Sequence, residues 1–222
     1  LPPQESNRVP VRLTISAHVL PHGRVAAGAS HSAQAHHSSI FSMNTRSAPY
    51  RVVFTGSECT GKSALARALS AERLAPYSDE AARLFVTENG REIVEPDVAV
   101  IAARQRTLED TAIEMSTVLV LHDTDLFSTV IYAQHYFGNN ANEVLANARE
   151  RRADLYLLCD TDLPWQNEPL QRSKSNSQDR AALTAAFNTL LQAEGCCVEV
   201  VRGIGASRLA NARAALKRHY PH

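Results

Sequence analysis

Nowhere in these 222 residues does a run of about 18 to 20 apolar side chains occur, the length a helix needs to cross a bilayer, so no membrane partner is expected. Net charge is missing too, with 23 Lys+Arg set against 23 Asp+Glu. Such a chain has no long-range field with which to gather nucleic acid or anionic lipid. The balance conceals a division, because residues 1–50 hold four Arg and one Glu, whereas residues 51–222 hold 19 basic against 22 acidic residues. A polyanion-binding domain carries the opposite sign, and nucleic acid is not expected among the partners. Cysteine is scarce. The four present form no C-x-x-C pair and no zinc-type Cys/His spacing, which fits a reducing compartment and a cytoplasmic protein. Cys196 and Cys197 are adjacent in a stretch that reads as a strand, hence on opposite faces, and no bridge between them is expected.

The length suits one α/β domain with a full core plus a tail. Residues 1–48 show neither helical nor alternating periodicity, are rich in Ser, Ala, His and Pro, and hold Glu5 as their single acid. They are expected to be disordered, with the folded domain over 49–222. Scarce acids with scattered Arg and Ser also describe a transit segment, but Met43 stands just before the first strand and marks the expected native start. His18, His22, His31, His36 and His37 are spaced too irregularly to define a metal site.

From Tyr50 onward short apolar runs alternate with helical patterns, the signature of a parallel sheet with crossover helices. Strands are expected at Tyr50 to Thr55, Leu74 to Ser78, Thr117 to His122, Leu155 to Cys159 and Cys197 to Val201. Helical spacing is clear at Leu126, Val130, Ala133 and Phe137, at Leu183, Phe187, Leu190 and Leu191, and at Leu209, Ala212 and Leu216. Gly195 stands where the second of these helices should end. Ligands of open α/β sheets bind beyond the carboxyl ends of the strands, so the candidate functional residues are sought there.

Directly after the first expected strand, Gly56-Ser57-Glu58-Cys59-Thr60-Gly61-Lys62-Ser63 forms a complete G-x-x-x-x-G-K-S loop, and Ala64 opens the helix behind it. Such a loop turns its N–H groups inward at a helix N-terminus and cradles the phosphates of ATP or a similar triphosphate. Lys62 is the expected partner of the β- and γ-phosphates. Ser63 is expected to take one position in the shell of Mg2+. Cys59, a thiol close to that helix N-terminus, is the candidate oxidation-sensitive cysteine.

Three further segments complete the candidate set. The apolar run before His122 leads into Asp123-Thr124-Asp125, and an acid at the tip of a strand beside the loop strand can orient magnesium opposite Ser63. Asp123 is assigned that role. Asp125 reads either as a substrate contact or as the N-cap of the next helix, and His122 as a satisfied imidazole. In Asp79-Glu80-Ala-Ala-Arg83 the Glu80 and Arg83 side chains share a helical face; they read as a surface ion pair, or as a base for a sugar hydroxyl with an arginine steadying substrate. The polar, Pro-broken stretch from Asp160 to Arg180 reads as a short basic lid carrying Arg172, Lys174 and Arg180. Trp165, the single Trp, could stack on a flat acceptor ring or anchor the loop.

Together these residues resemble the ribosylnicotinamide kinase domain of the NadR family of P-loop proteins, over about residues 50–218. The resemblance rests on the loop Gly56 to Ser63, on Glu80 and Arg83 as an E-x-x-R element, and on Arg104-Gln105-Arg106 for H-Q-R. It continues in Asp123-Thr124-Asp125 and in Trp165 to Arg172, where Glu168-Pro169 stands for the family's Asp-Gly. It implies a P-loop NTPase fold with a five-stranded parallel sheet, and transfer of the ATP γ-phosphate to the 5′-hydroxyl of nicotinamide riboside. Lys62, Glu80, Asp123 and Arg172 would be catalytic, with Asp79, Glu80, Arg83, Gln105, Asp125 and Trp165 around a small nucleoside. The competing expectation is a non-catalytic ATP- or GTP-binding switch that signals by ordering its lid. Oligomeric state is not legible.

Overall fold

The structure, a computed structural model, describes residues 48–166 and 179–221. The chain divides into two units, residues 1–43 and 44–222, and the described residues all belong to the second. The expected disorder over 1–48, apart from residue 48, and the lid residues Arg172 and Lys174 lie outside the described residues.

Five parallel strands form one sheet in the order β2-β3-β1-β4-β5. They are β1 Tyr50–Thr55, β2 Tyr77–Ser78, β3 Leu119–Asp123, β4 Leu155–Cys159 and β5 Val198–Val201. Because β1 is central and covered on both sides, its residues Val52, Val53 and Phe54 are all fully buried. Alternation then divides them between two layers. Val52 and Phe54 face Leu65 and Leu69 of α1 (Lys62–Arg73) and Ala212 and Leu216 of α7 (Ala206–His219). Val53 faces the other way, toward Ala102 of α3 (Asp97–Glu114), Phe127 of α4 (Leu126–Phe137), Ala148 of α5 (Asn142–Glu150) and Leu191 of α6 (Asp179–Ala193). A small satellite core of Ala81, Phe85 and Ile101 fastens α2 (Ala81–Asn89) to α3. No helix among the described residues is long and apolar enough to cross a membrane.

The five expected strands are present, β1 and β4 with the expected bounds and the other three with shifted ends. The second shrinks to two residues because Leu74 is 93% exposed at φ 50, capping α1 in the left-handed region instead of entering the sheet. The third ends one residue later, at Asp123, which brings that acid into register with Phe54 of β1. Gly195, at φ 68, closes the turn after α6 as expected. Helices α2, α3 and α5 lie outside the three stripes expected from the sequence. For α3 the reason is that its buried face holds Gln105 and Glu109 among the apolar residues, which dilutes the 3.6-residue pattern.

Candidate functional site

β1 and β3 end side by side, and their carboxyl ends open onto the loop Gly56 to Gly61. Gly56 sits at φ 122, where a Cβ would come within 2.8 Å of the Cys159 carbonyl oxygen, so no other residue fits without displacing β4. The loop is then tied down by its carbonyls. Ser57 O accepts from Thr60 Oγ1 and from Lys62 Nζ, both at 2.8 Å. Cys59 O accepts from Arg180 Nη2 at 3.2 Å, and Thr60 O from Arg208 Nη2 at 2.8 Å and Nε at 3.1 Å. A loop whose carbonyls are held outward presents its N–H groups to the opposite side, where an anion can bind.

Arg208 carried no signal in the sequence. It is 3% exposed, and it also donates to Asp160 O at 2.6 Å and Gly203 O at 3.0 Å, with the Asp162 carboxylate 3.6 Å away. One guanidinium thus fastens the loop to the segments that follow β4 and β5. Arg180 corrects its lid assignment in the same sense. It is 5% exposed, it donates to Leu163 O at 2.9 Å as well as to Cys59 O, and its Cζ lies 5.9 Å from the Trp165 ring centroid. Arg180 and Trp165 therefore brace the loop from behind. Cys59 Sγ is engaged by the main chain of Gln166, donating to its carbonyl at 3.2 Å and accepting from its N–H at 3.3 Å.

Asp123 is fully buried at the tip of β3. Burial, then the charge of Glu80, pushes its carboxyl up to about 6, against a hydrogen bond from Ser63 and the cations Lys62 and Arg83. The Tyr77 hydroxyl, 3.0 Å from Asp79 Oδ1 and 3.4 Å from Asp123 Oδ2, holds one edge of the carboxylate. Oδ1 is buried without a hydrogen-bond partner among the described residues. A buried lone pair beside a serine hydroxyl is what one side of a magnesium shell requires, and the residues present fit that ion. No cluster of three or more His, Cys, Asp or Glu among the described residues could hold a metal.

The next residue, Thr124, lies at φ 68, an uncommon place for a β-branched side chain. That turn brings Asp125 back as the cap of α4, accepting from Phe127 N at 3.1 Å and Ser128 N at 3.4 Å and from the Tyr156 hydroxyl at 3.0 Å. Asp125 is a cap, and not one of the residues lining the cavity. His122 is buried, its Nδ1 2.8 Å from Ser78 Oγ but its Nε2 without a hydrogen-bond partner among the described residues, so the expected satisfied imidazole is only half realised, and burial lowers it to about 3.

A cavity of about 410 Å³ runs from the loop into the space between α2, α3 and α4. Glu58 to Ala64, Glu80, Arg83, Gln105, Thr124 and Gln166 line its polar end. Glu80 lies 3.4 Å from Arg83, so the pair exists and faces the cavity. Asp79 is not in the wall; Arg67 and Tyr77 hold it. Gln105 reaches the wall but bridges main-chain atoms, accepting from Ala81 N at 2.9 Å and donating to Thr124 O at 3.3 Å, so it sets α2 against the tip of β3. Val86, Ile93, Val98, Ile101, Tyr132, Tyr136 and Phe137 line the same cavity. Tyr132 and Tyr136 stack with centroids 5.9 Å apart, and the Tyr136 hydroxyl donates to Glu58 Oε1 at 2.6 Å. Trp165, read either as a ring stacking on the acceptor or as an anchor of its loop, is not in this wall. The aromatic wall comes from α4, whose stripe reads in the sequence simply as core.

A family model described as AAA domain matches residues 51–208. No curated protein matches the sequence. Among solved structures, a NadR protein in complex with NR aligns with a TM-score of 0.67 at 20% identity, covering 78% of this chain and 52% of that one. A NadR protein in complex with NAD and AMP-PNP aligns with a TM-score of 0.64 at 20% identity, over 78% and 50%. Thymidylate kinase from Ehrlichia chaffeensis aligns with a TM-score of 0.53 at 12% identity, over 75% and 96%. The chain spans about half the length of the NadR structures it matches. These likenesses establish the P-loop fold.

Proposed function

Since the chain belongs to this AAA-domain family, we propose that it is an ATP-dependent small-molecule kinase that phosphorylates the 5′-hydroxyl of a nucleoside, nicotinamide riboside first among them. The observation that carries the reading is the continuity of the cavity. A nucleotide-binding switch needs only the loop, whereas here the cavity that Lys62 and Ser63 line is also walled by side chains of α2, α3 and α4, Tyr132, Tyr136 and Phe137 among them. Two reactants can therefore meet.

In this reading the loop amides and Lys62 bind the β- and γ-phosphates, and the acceptor hydroxyl attacks the γ-phosphorus as the bond to the β-bridging oxygen breaks. Magnesium, held by Ser63 and Asp123, would neutralise charge on the phosphate oxygens. Glu80, which lines the cavity, takes the proton of the acceptor hydroxyl, while Arg83 keeps its carboxylate in place. Arg172 and Lys174 keep the role of charges offered to the departing phosphoryl. For the acceptor, the stacked tyrosines suit a flat ring, and Glu58 and Glu92 in the same wall suit one with positive charge, as a pyridinium nucleoside has. The NadR structure bound to NR supports the same choice.

The test is a panel of nucleosides incubated with ATP and magnesium and read by mass. A gain of one phosphoryl group on nicotinamide riboside is expected. Bound ATP with no phosphorylated product across the panel would reject the kinase and favour the switch.

A further inference from the structure

A second set of chemically active groups lies outside the cavity, where the end of α7 meets β5, the edge strand of the sheet. Cys197 immediately precedes β5 and is exposed, Glu199 lies within the strand, and His219 is the last residue of α7. The Cys197 Sγ is 3.6 Å from His219 Nδ1, and Nε2 of the same ring is 2.8 Å from Glu199 Oε1. A carboxylate that accepts from Nε2–H leaves the Nδ1 lone pair facing the thiol, so the ring is set as a base. Arg218 holds the carboxylate from its other side, Nη2 to Oε2 at 2.8 Å, which limits its swing.

From this nucleophile, base and orienting carboxylate we infer that Cys197 is a reactive thiol whose reactants are low-molecular-weight disulfides. The Cys197 proton passes to His219 and the thiolate attacks one sulfur of the disulfide. A new S–S bond forms as the old one breaks, and the departing thiolate takes the proton back from His219. Protein thiol and disulfide become mixed disulfide and free small thiol, with no other oxidant needed. The remaining cysteines lack this arrangement: Cys59 is engaged by Gln166, Cys159 is fully buried, and Cys196 packs against the core on the Val53 face of the sheet. None of Cys197, His219 and Glu199 lines the cavity, so the inference stands apart from phosphoryl transfer.

The test exposes the full chain to oxidised glutathione at neutral pH and follows each cysteine-containing peptide by mass over time. Cys197 should acquire glutathione first, about tenfold or more faster than Cys196, and His219→Gln should slow it about tenfold with the melting temperature unchanged. Glu199→Gln should slow it less. If Cys197 reacts at the same rate in wild type and His219→Gln, exposure alone governs it and the relay is refuted. If Cys196 reacts as fast as Cys197, the assignment is likewise overturned.

Discussion

Arg208 and Thr60 are 148 residues apart in sequence, yet the arginine grips the threonine's carbonyl oxygen with two nitrogens, at 2.8 Å and 3.1 Å. The phosphate-binding loop is shaped partly by its own glycines and partly by this buried guanidinium, reaching it from the final helix. Arg180 does the same for the neighbouring carbonyl of Cys59.

Arg208→Met should therefore do more than empty a pocket. It leaves the carbonyls of Thr60, Asp160 and Gly203 without their shared donor in a buried place, at a cost of about 2–5 kcal/mol. ATP affinity should fall about tenfold or more as the loop loosens. Arg208→Lys, which retains the charge but not the fork of donors, should fall between the two. Urea denaturation and calorimetric titration with ATP measure both quantities.

The aromatic end of the cavity predicts a split between substrates. Tyr136→Ala should raise the acceptor KM about tenfold or more and the ATP KM by less, because its ring stacks on Tyr132 in the cavity wall while its hydroxyl reaches the loop only through Glu58 Oε1. Trp165→Ala should raise the ATP KM, since its ring supports Arg180 and, through it, the carbonyl of Cys59. Steady-state kinetics with each substrate varied in turn distinguishes them.

Glu109 supplies a pH signature of the fold. It is 1% exposed between Arg51 and Arg151, and burial, then the charge of Asp125, pushes its carboxyl up to about 7. Its folded-state value lies above its unfolded one, so its stabilising contribution is complete below the usual carboxyl value of 4.5 and is lost as pH rises through about 7. Glu109→Gln has no such dependence. The stability of wild type minus that of the variant should fall by about 2–3 kcal/mol between the two ends of this range, as read by urea denaturation. A difference that is flat or rising would contradict it.

How much of this was legible depended on whether the determinants were local. The loop Gly56 to Ser63 and the following helix are specified by neighbours in the chain, and they stand where the sequence places them. Asp123 was legible because an apolar run leads straight into it. Asp125 was open between two readings, since an acid after a strand serves equally as ligand or cap; the left-handed turn at Thr124, which decides it, depends on the packing around β1. Arg208 was hidden among Arg213, Lys217 and Arg218 on the same helix, with nothing local to mark it as the buried one. Tyr132 and Tyr136 lie outside the stripe Leu126, Val130, Ala133 and Phe137 and went unmarked, and that stripe itself read as core, because a helix that walls a cavity and one that fills a core show the same spacing.

Everything in the functional account rests on the loop holding a triphosphate, and calorimetric titration with a non-hydrolysable ATP analogue, with and without magnesium, asks that directly. Wild type should bind in a magnesium-dependent way, and Lys62→Ala should lose most of that affinity while melting like the wild type. Binding that ignores magnesium, or that survives intact in Lys62→Ala, would contradict the account.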